Sequence, residues 1–331
     1  MRLLGRPLGW AGCGLLVSVA ALSAQTHVII VTGASGEPKY ATSFHAAGSA
    51  LVDALVTKHG LEADDVVYLA EDPAKDPKHI DGKSTKQELA QTLSRVASRA
   101  RAGDRVLLVL IGHGSHAGSA SRFNLPGPDL TAAELGVMLD PLKAMQVAVV
   151  NAASASGDFV AALSAKNRIV ITATKSSYER NETLFPRFFV AAFTTPGADT
   201  DKDERVSLLE AFVYAKREVG RAYETDTRLP TEHAMLDDDG DRRGSGEPDP
   251  RAGDGSLARR FIVGRAMTSS VASTAAGGGA LVAKKAQLEA QVDSLRRRKE
   301  TMATDAYERE LERLLVELAQ VSQAIRDGKS P

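Results

Sequence analysis

Five short apolar segments constrain the fold of this 331-residue chain more than anything else in it: HVIIVTG at 27–33, VVYLAED at 66–72, VLLVLIG at 106–112, VAVV at 147–150 and RIVITAT at 168–174. Their cores are apolar on both faces, as in strands covered on both sides, and helix-like stretches around 46–58, 85–101 and 132–139 separate them. This alternation predicts an α/β domain with a mostly parallel sheet between helical layers. In such sheets the ligand site lies beyond the carboxyl ends of the strands. Gly33, His113, Ser154 and Lys175 stand at or just past strand ends, so they are expected to converge. Helices at 185–194 and from 207 to about 223, with a last apolar piece at 259–264, complete a domain over 25–266.

The first 24 residues predict export. Arg2 and Arg6 precede a small and apolar run from Trp10 to Ala24, and Ala21-Leu22-Ser23-Ala24 offers small residues for cleavage, as in a secretory signal peptide over 1–24. The run falls short of the roughly 20 apolar residues of a membrane span. A secreted or periplasmic protein with no stable membrane span is expected. Removing residues 1–24 takes away two arginines and no acid, moving the formal charge from −1 to −3. That balance gives no electrostatic case for a nucleic-acid partner. The single cysteine, Cys13, leaves with the leader, so core packing or metal rather than disulfides must hold the exported chain together.

A Ser-, Ala- and Gly-rich linker at 267–280 leads into a segment of different composition. Leu281, Leu288, Leu295 and Met302 recur every seven residues, and Leu311, Leu314, Leu318, Val321 and Ile325 alternate spacings of three and four. The pattern predicts a helical hairpin over 281–328, broken near 303–305, where Asp305 and Glu308 fit a capping box. Folding back on itself or docking on the main domain is the expected use of its apolar seam; self-association is the alternative.

Two strand ends carry chemistry. Gly112-His113-Gly114 follows VLLVLI, and Asn151-Ala152-Ala153-Ser154-Ala155-Ser156-Gly157 follows VAVV, which offers a base and a hydroxyl nucleophile at one sheet edge. Taken in order, VTGASGE, the helix and second strand, the strand ending in His-Gly and the strand ending in a small-residue turn with Ser-Gly resemble the legumain family of cysteine peptidases. The similarity covers roughly residues 26–195. It implies a caspase-like three-layer sandwich, with His113-Gly114 in the place of the catalytic histidine and its glycine. Ser154 then stands where the family has its cysteine. Ala152 replaces the glutamate of the asparagine-recognising pocket, and Ser35 the third catalytic residue, an asparagine. A thiol with a pKa of about 8.5 ionises readily beside a histidine, whereas a hydroxyl needs a well-aimed base. The leading expectation is a peptidase homologue that binds a peptide or protein ligand without cleaving it. The rivals are a serine-type hydrolase using a Ser154–His113 dyad with the Gly114 and Ser154 amides as oxyanion donors, and a scaffold that associates through its C-terminal helices.

A second signal points to calcium. Asp199, Asp201, Asp203, Arg205, Ser207 and Glu210 occupy positions 1, 3, 5, 7, 9 and 12 of an EF-hand-like loop at 199–210. Glu204 takes the sixth position, where glycine normally makes the sharp turn. The acids at Asp237-Asp238-Asp239-Gly240-Asp241 match no complete ligand set and read as a solvated turn. His116 reads as part of a solvated loop, His233 as a neighbour of the site, and 123–131 as a shaped loop leading to a helix capped by Thr131 and Glu134.

Overall fold

The computed structural model describes residues 24–118 and 120–264, individual positions between 281 and 299, and residues 302–326. The leader up to residue 23 and the linker at 267–280 lie outside the described residues. The main domain is a three-layer α/β sandwich. Its strands are β1 (Thr26–Thr32), β2 (Val66–Ala70), β3 (Gly82–Lys83), β4 (Arg105–Ile111), β5 (Gly114–Ala117), β6 (Ala120–Phe123), β7 (Leu130–Thr131), β8 (Gln146–Asn151), β9 (Arg168–Thr172) and β10 (Met235–Asp237). Seven of them form one sheet in the order β10-β9-β8-β4-β1-β2-β3, parallel throughout except for β10, which pairs antiparallel with β9.

Strand alternation divides the interior into two cores. Val28 and Ile30 of β1, with Leu107 and Val109 of β4 and Val150 of β8, face α1 (Pro38–Thr57) and three further helices described below. Ile29 and Val31, with Leu108, Leu110 and Val149, face α2 (Lys86–Arg99), α3 (Ala132–Leu139) and α4 (Asp158–Leu163). All of these strand residues are buried, and each contributes about 1.5–3 kcal/mol of transfer free energy. The first face is completed by α5 (Phe185–Thr194), α6 (Leu208–Thr225) and the short α7 (Ser256–Arg260).

Local chemistry sets the helix starts. Thr85 Oγ accepts from Glu88 N at 3.2 Å, and Thr131 with Glu134 forms the expected capping box of α3. The helix expected near 46–58 begins earlier, at Pro38, whose fixed φ suits the first turn. Its first turns carry Lys39, Thr42 and Ser43 on the exposed side, which hid the apolar period. The 113–131 region is also more ordered than a loop: β5, β6 and β7 make a small antiparallel sheet, and Phe123, fully buried, lies under Gly33 and Gly112.

At the C-terminus, Leu281, Leu288, Val292 and Leu295 bury against Tyr307, Leu314 and Val321 of the helix Thr304–Arg326. The described part of the hairpin therefore consumes its own seam, with Lys284 Nζ 2.8 Å from Glu317 Oε1 beside it. Among the described residues no helix is long and apolar enough to cross a membrane.

Candidate functional site

The β4–β8 register places Leu110 opposite Asn151, so the turns that follow these two strands must meet. They touch at Gly114: a Cβ there would lie 2.0 Å from the Ser154 carbonyl oxygen. The next turn is as close, since a Cβ on Gly157 would lie 2.2 Å from Ser176 N, just past Lys175. Gly33 closes the other side, donating from N to Ile111 O at 2.9 Å. The turns after β1, β4, β8 and β9 thus form one continuous edge, as the sequence predicts.

Within that edge the two expected catalytic side chains part company. Ser154 Oγ accepts from Gly114 N and donates to Gly114 O, both at 3.2 Å. Among the described residues, no hydrogen bond joins Ser154 to His113. The Gly114 N–H, expected as an oxyanion donor, is itself taken by Ser154 Oγ. The His113 ring packs edge-on against Tyr40, centroids 4.3 Å apart, and against Phe44 at 5.1 Å. Burial pushes the His113 pKa below its ordinary value; the Glu182 carboxylate, the Ser35 backbone and Glu37 oppose that shift, and Lys39 reinforces it. Ser35 donates from N and Oγ to Glu71 Oε2 at 3.0 and 2.6 Å, so its hydroxyl is committed away from the histidine.

The residues around Ser154 serve the turn. Ala152 is buried and its carbonyl accepts from Thr183 Oγ at 2.8 Å. Thr174 Oγ accepts from Ser156 N at 2.8 Å and Gly157 N at 3.1 Å. Ala155 adopts φ +50°, a left-handed conformation that costs about 1–2 kcal/mol outside glycine, and its N–H donates to Glu179 O at 2.7 Å. Asn151 leaves Nδ2 buried without a partner. His116 lies on β5, half-buried, 3.5 Å from Asp158, and so is not part of a solvated loop.

Four residues of this edge were not singled out from sequence. Tyr40, which meets His113 edge-on, donates to Glu182 Oε2 at 3.0 Å. Glu179 is reached by Lys175 Nζ at 3.8 Å and by the backbone N–H of His233 at 3.1 Å. Glu232, only 5% exposed, accepts from Leu184 N and Phe185 N at the start of α5, at 2.7 and 3.1 Å. That anchor brings His233 to the edge; a charged residue beside an apolar strand was its only trace in the sequence.

The 199–210 loop gathers its acids as expected. Asp199, Asp201 and Asp203 each bring a carboxylate oxygen within 4.8 Å of the others. Lys202 and Glu204 have φ of +57° and +64°, so the residue in the glycine position does make the sharp turn, at the strain its side chain implies. Glu210 reaches back across the loop: Oε1 accepts from Thr200 N at 2.9 Å and Oε2 from Ser207 N at 2.9 Å, which also caps α6. Arg205 carries its guanidinium to Asp203, 3.0 Å away, and Lys285 Nζ lies 3.9 Å from Asp201. Val206 and Leu208 pair with Val263 and Phe261 through backbone hydrogen bonds of 3.1 and 3.0 Å. The oxygen-only donor set suits a hard cation.

The second acidic segment departs from expectation. Asp237 and Asp238 are buried and only Asp239 and Asp241 are exposed, because β10 adds to the sheet edge and carries the segment into the interior. It is not a solvated turn. Asp237, Asp239 and Asp254 bring carboxylate oxygens within 4.8 Å of one another.

No protein-family description and no curated protein matches the chain. Among solved structures it is similar to the protein GSU0716 from Geobacter sulfurreducens, at 12% identity and a TM-score of 0.42, over 68% of this chain and 95% of that one.

The contact at Gly114 makes a direct prediction. Gly114→Ala should lower stability by about 2 kcal/mol or more in urea denaturation, because the clash is with backbone. Gly136→Ala in α3, where the nearest atom would be Leu163 Cδ2 of α4 at 3.7 Å, an ordinary van der Waals contact, should be neutral or stabilising by up to about 1 kcal/mol. Equal midpoints for Gly114→Ala and the wild-type chain would mean that the two turns do not touch.

Proposed function

We propose that the chain is an exported legumain-like peptidase homologue that binds a peptide or protein segment along the carboxyl edge of its sheet without cleaving it, and that calcium in the 199–210 loop stabilises it. One observation carries the non-catalytic reading: Ser154 Oγ is clasped between the N–H and C=O of Gly114, while His113 packs on Tyr40 and Phe44. A hydroxyl is a poor nucleophile unless a base accepts its proton in line, and here the proton goes to a backbone carbonyl. The exposed Tyr178 ring, with Lys175 and His233 around Glu179, offers an aromatic anchor in a polar rim, which suits a peptide.

Export rests on the leader, in which Arg2 and Arg6 precede the small and apolar run from Trp10 to Ala24. Calcium rests on Asp199, Asp201 and Asp203, whose carboxylate oxygens lie within 4.8 Å of one another, and on the sequence spacing that adds Arg205, Ser207 and Glu210. When bound, the ion would neutralise three adjacent carboxylates and join α5 to α6; the strained turn at Glu204 would remain. For self-association, the described part of the hairpin leaves Leu315 and Val316 outside, 41% and 51% exposed.

A fluorophosphonate probe tests the central point, because it labels only an activated serine. Wild-type protein should stay unlabelled; labelling lost in both Ser154→Ala and His113→Ala would establish the hydrolase instead. Chelation should lower the melting midpoint of the wild-type chain by roughly 5–10 °C if calcium was near 100 times its Kd, and by less in Asp199→Asn. An unchanged wild-type midpoint would remove calcium from the 199–210 loop.

A further inference from the structure

We propose that Asp237, Asp239 and Asp254 form a second site for a divalent cation of the calcium type, which fastens the end of β10 to the segment entering α7. The donors come from two separate stretches, so the site exists only in the folded chain. Each carboxylate commits one oxygen to a backbone N–H. Asp237 Oδ1 accepts from Gly240 N at 3.2 Å, Asp239 Oδ1 from Asp241 N at 2.9 Å, and Asp254 Oδ1 from Asp238 N at 2.9 Å. That leaves Oδ2 on each.

The decisive group is Asp237. Its residue is fully buried, and Oδ2 has no hydrogen-bond partner at all. A buried carboxylate oxygen without a donor is costly, and a lysine or arginine beside it is the usual remedy. Its neighbours in space are the Ser164 hydroxyl, which makes no hydrogen bond to Oδ2, and the carboxylates of Asp239 and Asp254. Three acids within 4.8 Å of one another, one of them orphaned, are what a hard cation would satisfy.

Asp238 is not a ligand. Its two oxygens accept from Gly255 N and Ala258 N, both at 2.8 Å, and so hold the α7 segment in place to deliver Asp254. Backbone form agrees with this assignment. Gly240 and Arg242 have φ of +86° and +71°, three and five residues after Asp237, as Lys202 and Glu204 do after Asp199. In both loops the third acid accepts from the N–H two residues on, Arg205 N at 3.0 Å and Arg243 N at 2.7 Å. What differs is the closing ligand. The first loop has Glu210 twelve positions along, whereas Pro248 occupies that position in the second and Asp254 replaces it from further on.

Equilibrium dialysis of the purified full-length chain against calcium alone tests the site, in wild type and in three variants. Asp239→Asn alters an exposed side chain and Asp254→Asn keeps an oxygen for the Asp238 N–H, so both variants retain the fold. Each should weaken one bound calcium by on the order of tenfold or more, while Asp199→Asn weakens a different one. A single wild-type calcium that responds to Asp254→Asn but not to Asp199→Asn would support this site and sink the one at 199–210. Wild-type stoichiometry and affinity in both Asp239→Asn and Asp254→Asn would overturn the proposal.

Discussion

The site's arrangement depends on the parallel pairing of β4 with β8. That register sets Leu110 against Asn151 and forces the two following turns to share one space, which only a residue without a side chain can do. Gly114 lies against the Ser154 backbone, and the serine hydroxyl falls between the glycine's N–H and C=O. His113, one residue earlier, alternates to the other face and finds Tyr40 and Phe44 of α1. Thus the backbone contact that builds the edge also draws the hydroxyl away from the base. A hydroxyl satisfied by two main-chain groups has little reason to leave them, because each hydrogen bond contributes about 0.5–1.5 kcal/mol net and its loss would leave a part-buried polar group unpaired.

The acidic loops complete the domain at its other end. The segment from Asp254 through α7 to Val263 starts at the Asp237 cluster and finishes paired with Val206 and Leu208 of the 199–210 loop. One stretch of chain is thereby bracketed by two groups of carboxylates, each with like charges in close contact. Phe261 and Val263, both buried, supply the apolar part of that closure. Hydrophobic burial holds the segment from within, while the carboxylates repel one another unless a cation lies between them.

Much of this was legible in the sequence, for reasons that particular residues make plain. Strands β1, β4, β8 and β9 stand out because burial on both faces requires unbroken Val, Ile and Leu runs, and the cap at Thr131 stands out because orphan N–H groups need an acceptor there. The strand-end glycine, histidine and serine follow from those assignments. Less visible were the features made by contacts distant in sequence. β10 is three residues long, and Glu232, hydrogen-bonded to the start of α5, lies just ahead of it. Asp237 and Asp238 look solvated in a run of acids, and only the sheet edge and Asp254, thirteen residues beyond Asp241, show why they are buried. The hydrogen bond of Ser154 was hidden for the same reason: motif order brings a serine and a histidine to one edge, but side-chain direction decides whether they meet.

Whether the two side chains act as a unit is measured most directly by following the His113 imidazole resonances through a pH titration in the wild-type chain and in Ser154→Ala. A midpoint below the ordinary value of about 6.5, the same in both proteins, is the predicted result, since burial and the neighbours of α1 set it. A midpoint that rises when the hydroxyl is removed would show that Ser154 donates to the ring, and would contradict the non-catalytic reading of the site.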